Sequence, residues 1–369
     1  MTNSTHRVEV VTVSAITEHP NADKLAITRV GRYQCIIRKG EFVPGALAAF
    51  VPPESLVPLD VPEFQFLQDP VKRERTHARI GAKRLRKEWS EGLLIPARAG
   101  WQEGDDVAGE LGVQHFEPPQ PPQHPSTARS AQPAKKPPGF PVPEYGVEAY
   151  KRHADLLRAG ENVLVTEKIH GSNARYTYRN GVFHCGSHRS WRQRETLPHG
   201  LQWLRRVWPS KRGPGCTRWW ALPALHREDA WTRALAACPQ LQAYLIAHPG
   251  EVVYGEVYGD GIQDLKYGCH SGEQKFAAFD ILTEDGWLPQ AKTLDRLQMW
   301  RVPIVPTLYC GPLDHEAVMS FAEGLSVIPG AGHMREGCVV VPIVPREDPR
   351  CGGRVVMKIV SRTYLERGL

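Results

Sequence analysis

Asn162-Val-Leu-Val-Thr-Glu-Lys-Ile-His-Gly-Ser-Asn-Ala-Arg-Tyr-Thr-Tyr178 is the stretch on which the fold turns. Asn162–Glu167 is an apolar, β-branched run and reads as a strand, and so does Ala174–Tyr178. Between them stands Lys168-Ile169-His170-Gly171-Ser172-Asn173, a turn containing glycine and small polar residues. An Asn180-Gly181 turn then leads into a third strand, Gly181–Cys185. A lysine that ends a strand is ordinarily a solvated rim charge. Here Gly171 has no Cβ, so the turn beyond Lys168 can bring its backbone N–H groups close to a phosphate.

Moving outward, the residues from Leu197 to Ala247 change period: Leu201, Leu204, Trp208, Trp231, Leu235, Leu241 and Leu245 recur at helical spacing. Strand patterns return at Glu251–Tyr258, Phe276–Leu282, Gly337–Pro342 and Val355–Val360, so residues 144–369 read as one α+β domain of antiparallel strands with inserted helices. Upstream, Glu117–Pro143 holds ten prolines and almost nothing to bury, which makes 117–143 an extended linker. Residues 1–116 contain the short runs Arg7–Val13, Leu25–Val30, Cys35–Ile37, Leu47–Val51 and Gly92–Ile95 between Pro, Gly, Asn and Asp turns. A small β-barrel closes that many short strands.

Composition sets outer bounds. A chain of 369 residues that is 41% hydrophobic and 23% charged buries full cores and leaves room for two domains. A net charge of +6 fits a polyanionic partner without requiring one. The eight cysteines lie scattered, without the paired spacing of a zinc site, and read as reduced thiols. The start MTNSTHRVEV has no secretory pattern and no window is apolar enough to span a bilayer, so the expected location is cytoplasmic, with no membrane partner.

Six elements follow one another across the second domain: Lys168-Ile-His-Gly-Ser-Asn173, Ser187-His-Arg189, Tyr254-Gly-Glu256, Phe276-Ala-Ala-Phe279-Asp280, Glu336-Gly-Cys-Val-Val340 and Met357-Lys358. In order and spacing the series resembles the ligation motifs of the covalent nucleotidyltransferases, the DNA ligases, RNA ligases and mRNA capping enzymes. Lys-x-His-Gly-x-Asn is similar to the RNA ligase branch, whereas the other branches usually show Lys-x-Asp-Gly-x-Arg. The resemblance implies an ATP-dependent RNA ligase that carries AMP covalently on Lys168, with Mg2+ or Mn2+ as metal. It implies three transfers: AMP from ATP to Lys168, AMP to a 5′-phosphate, and displacement of AMP by a 3′-hydroxyl.

The chemistry calls for these residue types. An amine attacking phosphorus must be unprotonated, so a lysine nucleophile needs nearby cations or desolvation, and Lys358 and a metal are the candidate cations. Arg189 can clamp phosphate oxygens with a planar guanidinium, with Ser187 beside it. Glu256 and Glu336 are carboxylates on otherwise apolar strands, where an acid is costly unless paired or near a metal. By resemblance, Glu256 meets the ribose or the metal shell, Glu336 holds the metal's hydration sphere, and Phe279 stacks on the purine. Glu167 and Asn173 complete the nucleotide-binding set, and Phe276 is expected in the core. One position departs from the pattern. The last motif is often Lys-x-Lys, but here Lys358-Ile359 is followed by Val360-Ser361, which leaves more of the neutralisation to Lys358 and metal.

In the first domain, Ile16-Thr-Glu-His-Pro-Asn-Ala-Asp-Lys24-Leu25 resembles the opening of OB-fold tRNA-binding modules and of the amino-terminal domain of an RNA ligase family known from Deinococcus. Pro, Asn and Asp favour a structural, turn-forming role for that segment. The run from Val71 to Lys87 holds Lys72, Arg73, Arg75, Arg79, Lys83, Arg84, Arg86 and Lys87 against a single acid, and is a candidate for gripping successive phosphates. The resemblance implies RNA, or a nicked duplex with an RNA 3′-hydroxyl strand, as substrate, and a monomer is expected. The expected division of labour leaves nucleotide chemistry to residues after Pro143 and nucleic-acid grip to the first domain. Two other readings stand beside this one: a capping-type guanylyltransferase, which Asn173 disfavours, and an inactive RNA-binding scaffold, which the joint presence of Lys168, Glu256, Glu336 and Lys358 disfavours.

Overall fold

In a computed structural model of the chain, the structure describes residues 6–68, 75–116, 136–188, 190–192 and 229–367. The described residues form two compact units, the first drawn from 1–119, 146–169 and 306–369 and the second from 120–145 and 170–305. The strand ending in Lys168 and the last part of the chain therefore group with the amino-terminal strands. Most of the proline-rich stretch lies outside the described residues.

The first unit opens with β1 (Glu9–Thr12), β2 (Ile16–Glu18), β3 (Leu25–Val30), β4 (Tyr33–Arg38), β5 (Leu47–Val51), β6 (Ser55–Pro58), β7 (His77–Ile80), β8 (Ala82–Leu85), β9 (Glu88–Glu91), β10 (Leu93–Pro96) and β11 (Gln114–His115). They pair as β1-β5-β10, β2-β3-β4, β11-β6-β7 and the hairpin β8-β9. β5 has no polar face, because both of its faces are covered. Ala49 and Val51 join Val8, Val10, Val57 and Phe64, while Ala48 and Phe50 join Val13, Cys35 and Ile37. The barrel expected from the short strands is thus an OB-like fold, with Leu25–Val30 and Leu47–Val51 at the bounds read from sequence. The chain continues through β12 (Glu148–Ala149), α1 (Tyr150–His153) and β13 (Asn162–Lys168).

The second unit is built on β14 (Ser172–Arg179), β15 (Val182–Gly186), β16 (Trp191–Arg192), β17 (Val252–Gly259), β18 (Gln274–Thr283) and β19 (Gly286–Trp287), in the order β16-β15-β14-β17-β18-β19 with antiparallel neighbours. Helices α2 (Ala230–Ala236), α3 (Pro239–Ala247) and α4 (Gln290–Met299) contribute Trp231, Leu235, Leu241, Leu245 and Leu297 to a core with Tyr176, Val253, Val257 and Phe276. Asp229 starts α2 by accepting the Thr232 N–H at 2.9 Å, and Pro239 starts α3 where no amide donor is needed. Of the helical spacing read between Leu197 and Ala247, Leu201, Leu204 and Trp208 fall outside the described residues.

The chain then returns to the first unit with β20 (Thr307–Pro312), α5 (His315–Ser320), β21 (Gly337–Pro342), the short pair β22 (Glu347–Asp348) and β23 (Gly353–Arg354), β24 (Met357–Val360) and α6 (Arg362–Glu366). These complete a five-stranded sheet, β12-β24-β21-β13-β20. One of its faces packs Val163, Val165, Cys338, Val340, Met357 and Ile359 over Tyr150, Leu156 and Val318. Alternation along the strands leaves Lys168, Val339, Lys358 and Val360 on the opposite face.

Candidate active site

Register sets the first half of the site. Lys168 lies opposite Gly337, which lies opposite Val360, and Thr166 lies opposite Val339, which lies opposite Lys358. Directly opposed residues share a face, so the two lysines project from the same side of the sheet with one strand between them. Gly337 permits the close strand approach, since a Cβ there would sit 2.0 Å from the Ile359 carbonyl oxygen. Lys168 Nζ donates to Glu336 Oε1 at 2.6 Å, with the carboxylate nearly buried and the lysine side chain 23% exposed. Lys358 Nζ donates to Glu54 Oε2 at 3.0 Å.

The position that departs from Lys-x-Lys also has a structural account. Val360 is on the same face as both lysines, and Ser361 turns the chain into α6. Ser361 accepts the Tyr364 N–H at 3.1 Å and donates to Glu323 at 2.8 Å, while its own N–H donates to the Glu336 carbonyl at 2.8 Å. The short motif Lys358–Ser361 thereby ties the lysine strand to the residue that pairs Lys168.

Glu167, one residue before the lysine, falls on the other face and is 1% exposed. Its Oε2 accepts the Val327 N–H at 2.8 Å, and its buried Oε1 has no hydrogen-bond partner among the described residues.

In the second unit, Asn173 lies opposite Glu256, and Arg175 lies opposite Tyr254, all on the sheet face turned away from the helices. Gly171 is needed for packing as much as for openness, since a Cβ would sit 2.4 Å from the Val257 carbonyl oxygen and 2.8 Å from the Glu256 side chain. Phe279 is the extra residue of a bulge: Gly255 pairs with Ala278 and Tyr254 with Asp280. The bulge leaves Phe279 half-buried, its ring 4.7 Å from that of Tyr145, whose hydroxyl donates to Asp280 at 2.8 Å. Phe276 is in the core, as expected, with its ring 5.0 Å from Tyr176. His170 meets Asp264 at 2.6 Å, and its N–H donates to the Tyr267 hydroxyl at 2.6 Å. Arg189 lies outside the described residues.

The basic run contains a hairpin that the charge pattern had hidden. Lys83, Arg84, Arg86 and Lys87 are exposed on β8–β9, and the two-residue turn Arg86-Lys87 has φ of 49° and 77°. Such turns favour Asn-Gly, so two long basic residues here are locally unfavourable and hold only because the surroundings fix them. His19 and Asn21 do so: the His19 ring bonds the Leu85 carbonyl at 3.1 Å, and Asn21 donates to the Arg86 carbonyl at 3.1 Å. His19 Nδ1 accepts the Asn21 N–H at 3.1 Å, which leaves Nε2 as the donor to Leu85. The His-Pro-Asn segment, expected as a turn, forms one and also braces the basic hairpin. Arg84 stacks over Trp89 at 4.8 Å and Arg79 over Phe116 at 4.2 Å. Arg75 is exposed, and Lys72 and Arg73 lie outside the described residues.

Sequence reasoning missed a set of carboxylates in the amino-terminal strands. Glu91 is fully buried and accepts from Lys151, in a very close pair, and from Arg362 at 2.9 Å. Glu9 pairs with Arg152, and the Lys151 carbonyl accepts the Arg32 N–H at 3.0 Å. With Glu54 on Lys358, these interactions make the barrel part of the same unit as the lysine sheet. No local pattern marks such residues, because each partner lies 60 or more positions away.

Comparison with known proteins agrees with this arrangement. An OB-fold domain model matches residues 7–97. No curated protein matches the chain. Among solved structures, a Naegleria gruberi RNA ligase variant with ATP and Mn superimposes with a TM-score of 0.73 at 22% identity, over 98% of each chain. The same organism's RNA ligase with PPi gives a TM-score of 0.72 at 22% identity, again over 98% of each chain. At that identity the likeness speaks for the fold, and it extends through barrel and transferase strands alike. The RNA ligase family model matches residues 161–360, more than half of the chain and all six motifs, and on that match the chain belongs to the RNA ligase family.

Proposed function

We propose that this RNA ligase is ATP-dependent, forms lysyl-AMP on Lys168, and seals nicks in which an RNA strand supplies the 3′-hydroxyl. The observation that carries the reading is the placement of Lys168 and Lys358 on one sheet face with Glu336 at 2.6 Å from the Lys168 amine. In the first step the Lys168 nitrogen, having lost its proton, attacks the α-phosphorus; the N–P bond forms as the P–O bond to pyrophosphate breaks. Glu336 must release the amine for this attack. Lys358 donates to an α-phosphate oxygen, offsetting charge that builds there. In the second step a 5′-phosphate oxygen attacks the same phosphorus and the N–P bond breaks. In the third, the 3′-hydroxyl attacks the 5′-phosphorus and AMP leaves.

Asn173, Glu256 and Phe279 form the nucleotide-facing set of the second unit, with Glu256 for the ribose or metal shell and Phe279 for the purine; Glu167 and Arg189 are assigned to the nucleotide by resemblance alone. Glu336 and Glu256 are hard oxygen donors that suit Mg2+ or Mn2+. Such an ion would be held by one or two carboxylates together with substrate phosphate and water. When bound, such an ion would neutralise charge on the α-phosphate and the leaving pyrophosphate. The exposed Lys83, Arg84, Arg86 and Lys87, with Arg75 and Arg79, are proposed to track RNA phosphates, and Lys72 and Arg73 are assigned with them from the sequence. We place the protein in the cytoplasm as a monomer, in keeping with seven described cysteines that are all free thiols; no described helix is long and apolar enough to cross a membrane. We also retain 1–116 as the OB module, 117–143 as the linker and 144–369 as the transferase module.

The test is incubation with ATP or GTP labelled at the α-phosphate, with Mg2+ or Mn2+. An acid-labile adduct from ATP that Lys168→Ala abolishes is expected, followed by sealing of a nicked duplex with an RNA 3′-hydroxyl strand. Labelling by GTP alone would point to a capping-type enzyme, and full labelling of Lys168→Ala would remove the nucleophile assignment.

A further inference from the structure

Glu54 belongs to none of the six motifs, yet its carboxylate accepts from Lys358 at 3.0 Å. It sits in Pro52-Pro53-Glu54, the link between β5 and β6, with φ of 65°. A non-glycine residue held there costs on the order of 1 kcal/mol or more, and persists only where its surroundings fix it. Here its N–H donates to the Ile80 carbonyl at 2.9 Å, and its own carbonyl accepts the Phe116 N–H at 2.7 Å. Two prolines before it remove further backbone freedom. The carboxylate is therefore mounted on a stiff support.

Its charge state matches that position. Burial pushes the Glu54 carboxyl up, but Lys358, by charge and hydrogen bond, and then Lys168 more than offset this, and its pKa lies below the ordinary carboxylate value. The pair is mostly shielded from water, with side chains 22% and 19% exposed. A lysine ammonium has three donors on a flexible stem, so one fixed acceptor both chooses its rotamer and leaves donors for a second partner.

We propose that Glu54 is a positioning residue for the lysine-adenylylation step, a rigid carboxylate from the OB-like barrel that holds the Lys358 ammonium and aims it along the sheet face carrying Lys168. The proposal rests on the reading of Lys358 as the cation that meets the α-phosphate. Glu54 exchanges no proton and touches no reacting atom. One Lys358 N–H stays on Glu54 while another donates to a nonbridging phosphate oxygen, as the N–P bond to Lys168 forms and pyrophosphate departs. The amino-terminal barrel thereby takes part in the nucleotide step.

Glu54→Gln removes the charge while keeping shape and an acceptor, and Glu54→Asp keeps the charge at shorter reach. In single-turnover adenylylation with labelled ATP and Mn2+, Glu54→Gln should lower the rate constant at saturating ATP by about tenfold or more, with half-saturating ATP changed by less than about threefold. Glu54→Asp should recover part of that loss. A second readout needs no nucleotide: amine-reactive labelling of Lys358, followed by mass spectrometry, should rise severalfold in Glu54→Gln while exposed Lys39 is unchanged. Equal melting temperatures confirm that the fold is kept. A wild-type rate constant in Glu54→Gln, a faster one, or a change confined to half-saturating ATP would overturn the proposal, as would unchanged labelling of Lys358. Absence of any adduct from the unaltered protein would instead strike down the ligase reading, and Lys358 labelling would still decide whether Glu54 holds that ammonium.

Discussion

Removing the Glu91 carboxylate should be among the most destabilising single changes in the barrel. Glu91 is 0% exposed and accepts from Lys151, whose side chain is 7% exposed, and from Arg362, which is 31% exposed. In Glu91→Ala, Arg362 can turn to water and loses little, as partly exposed pairs do. Lys151 cannot. Breaking one side of a buried pair costs about 3–5 kcal/mol. A ceiling follows from the lysine's other option, releasing its proton: from a reference value of 10.5 down to pH 7 this costs roughly 5 kcal/mol at 1.36 kcal/mol per unit. The two routes agree, and about 3–5 kcal/mol is the expected loss. Burial already pushes the Lys151 amine down, with Glu91 opposing, so removing Glu91 drives it further in that direction. The folded variant then binds fewer protons than the unfolded chain between the folded and unfolded pKa values. Its stability should rise with pH across that window, by at most about 1.4 kcal/mol per unit. Urea unfolding from pH 7 to 9 measures both effects, through a lowered midpoint at unchanged slope. The double variant Glu91→Leu with Lys151→Met, which removes both charges, should recover most of the loss. A loss below about 1 kcal/mol in Glu91→Ala, or a double variant as damaged as the single one, would refute the reasoning.

A chain beginning near Pro143 loses the partners of Lys151, Arg152, Lys358 and Arg362 together, so it should unfold more readily and form little lysyl-AMP. That reverses the division of labour expected from sequence, and adenylylation of the truncated chain at the full-length rate would restore it. Neutralising Lys83, Arg84, Arg86 and Lys87 should weaken nucleic-acid binding and flatten its dependence on log salt by roughly 0.7 to 0.9 for each phosphate no longer neutralised, as titrations at several salt concentrations would measure. An unchanged slope would place the RNA elsewhere. His6 is pushed down to about 4 by burial and then by His115, with Lys358 and Arg152 adding to the effect and Glu54 opposing it. Its neutral form should stabilise the fold fully above the ordinary histidine range, and that contribution should be lost as pH falls towards 4. A His6 ring resonance in NMR that titrates near 6.5 would contradict this.

The sequence by itself determined strands of both units, the order of the motifs and the place of Lys168 at a strand end. Strands such as Gly337–Pro342 and Leu47–Val51 are apolar runs bounded by turn formers, and their bounds in the structure match those read from the residues. Lys168 at a strand end before Gly171 is a local pattern as well. Alternation then suffices to place Lys168 and Lys358 on one face once their strands share a sheet. The basic hairpin was only half legible: its charges were plain, but exposed Lys83 and Arg84 carry no apolar alternation, and the Arg86-Lys87 turn lacks the residues that announce one. Only the tertiary structure decided that Glu54, Glu91 and Glu9 of the barrel partner Lys358, Lys151, Arg362 and Arg152. The physical reason is that a charge at a distant position becomes informative only when folding takes both partners out of water, where leaving either one alone is costly. Residue spacing encodes strands and turns because they are local. It does not encode which acid, dozens or hundreds of residues away, neutralises a given lysine.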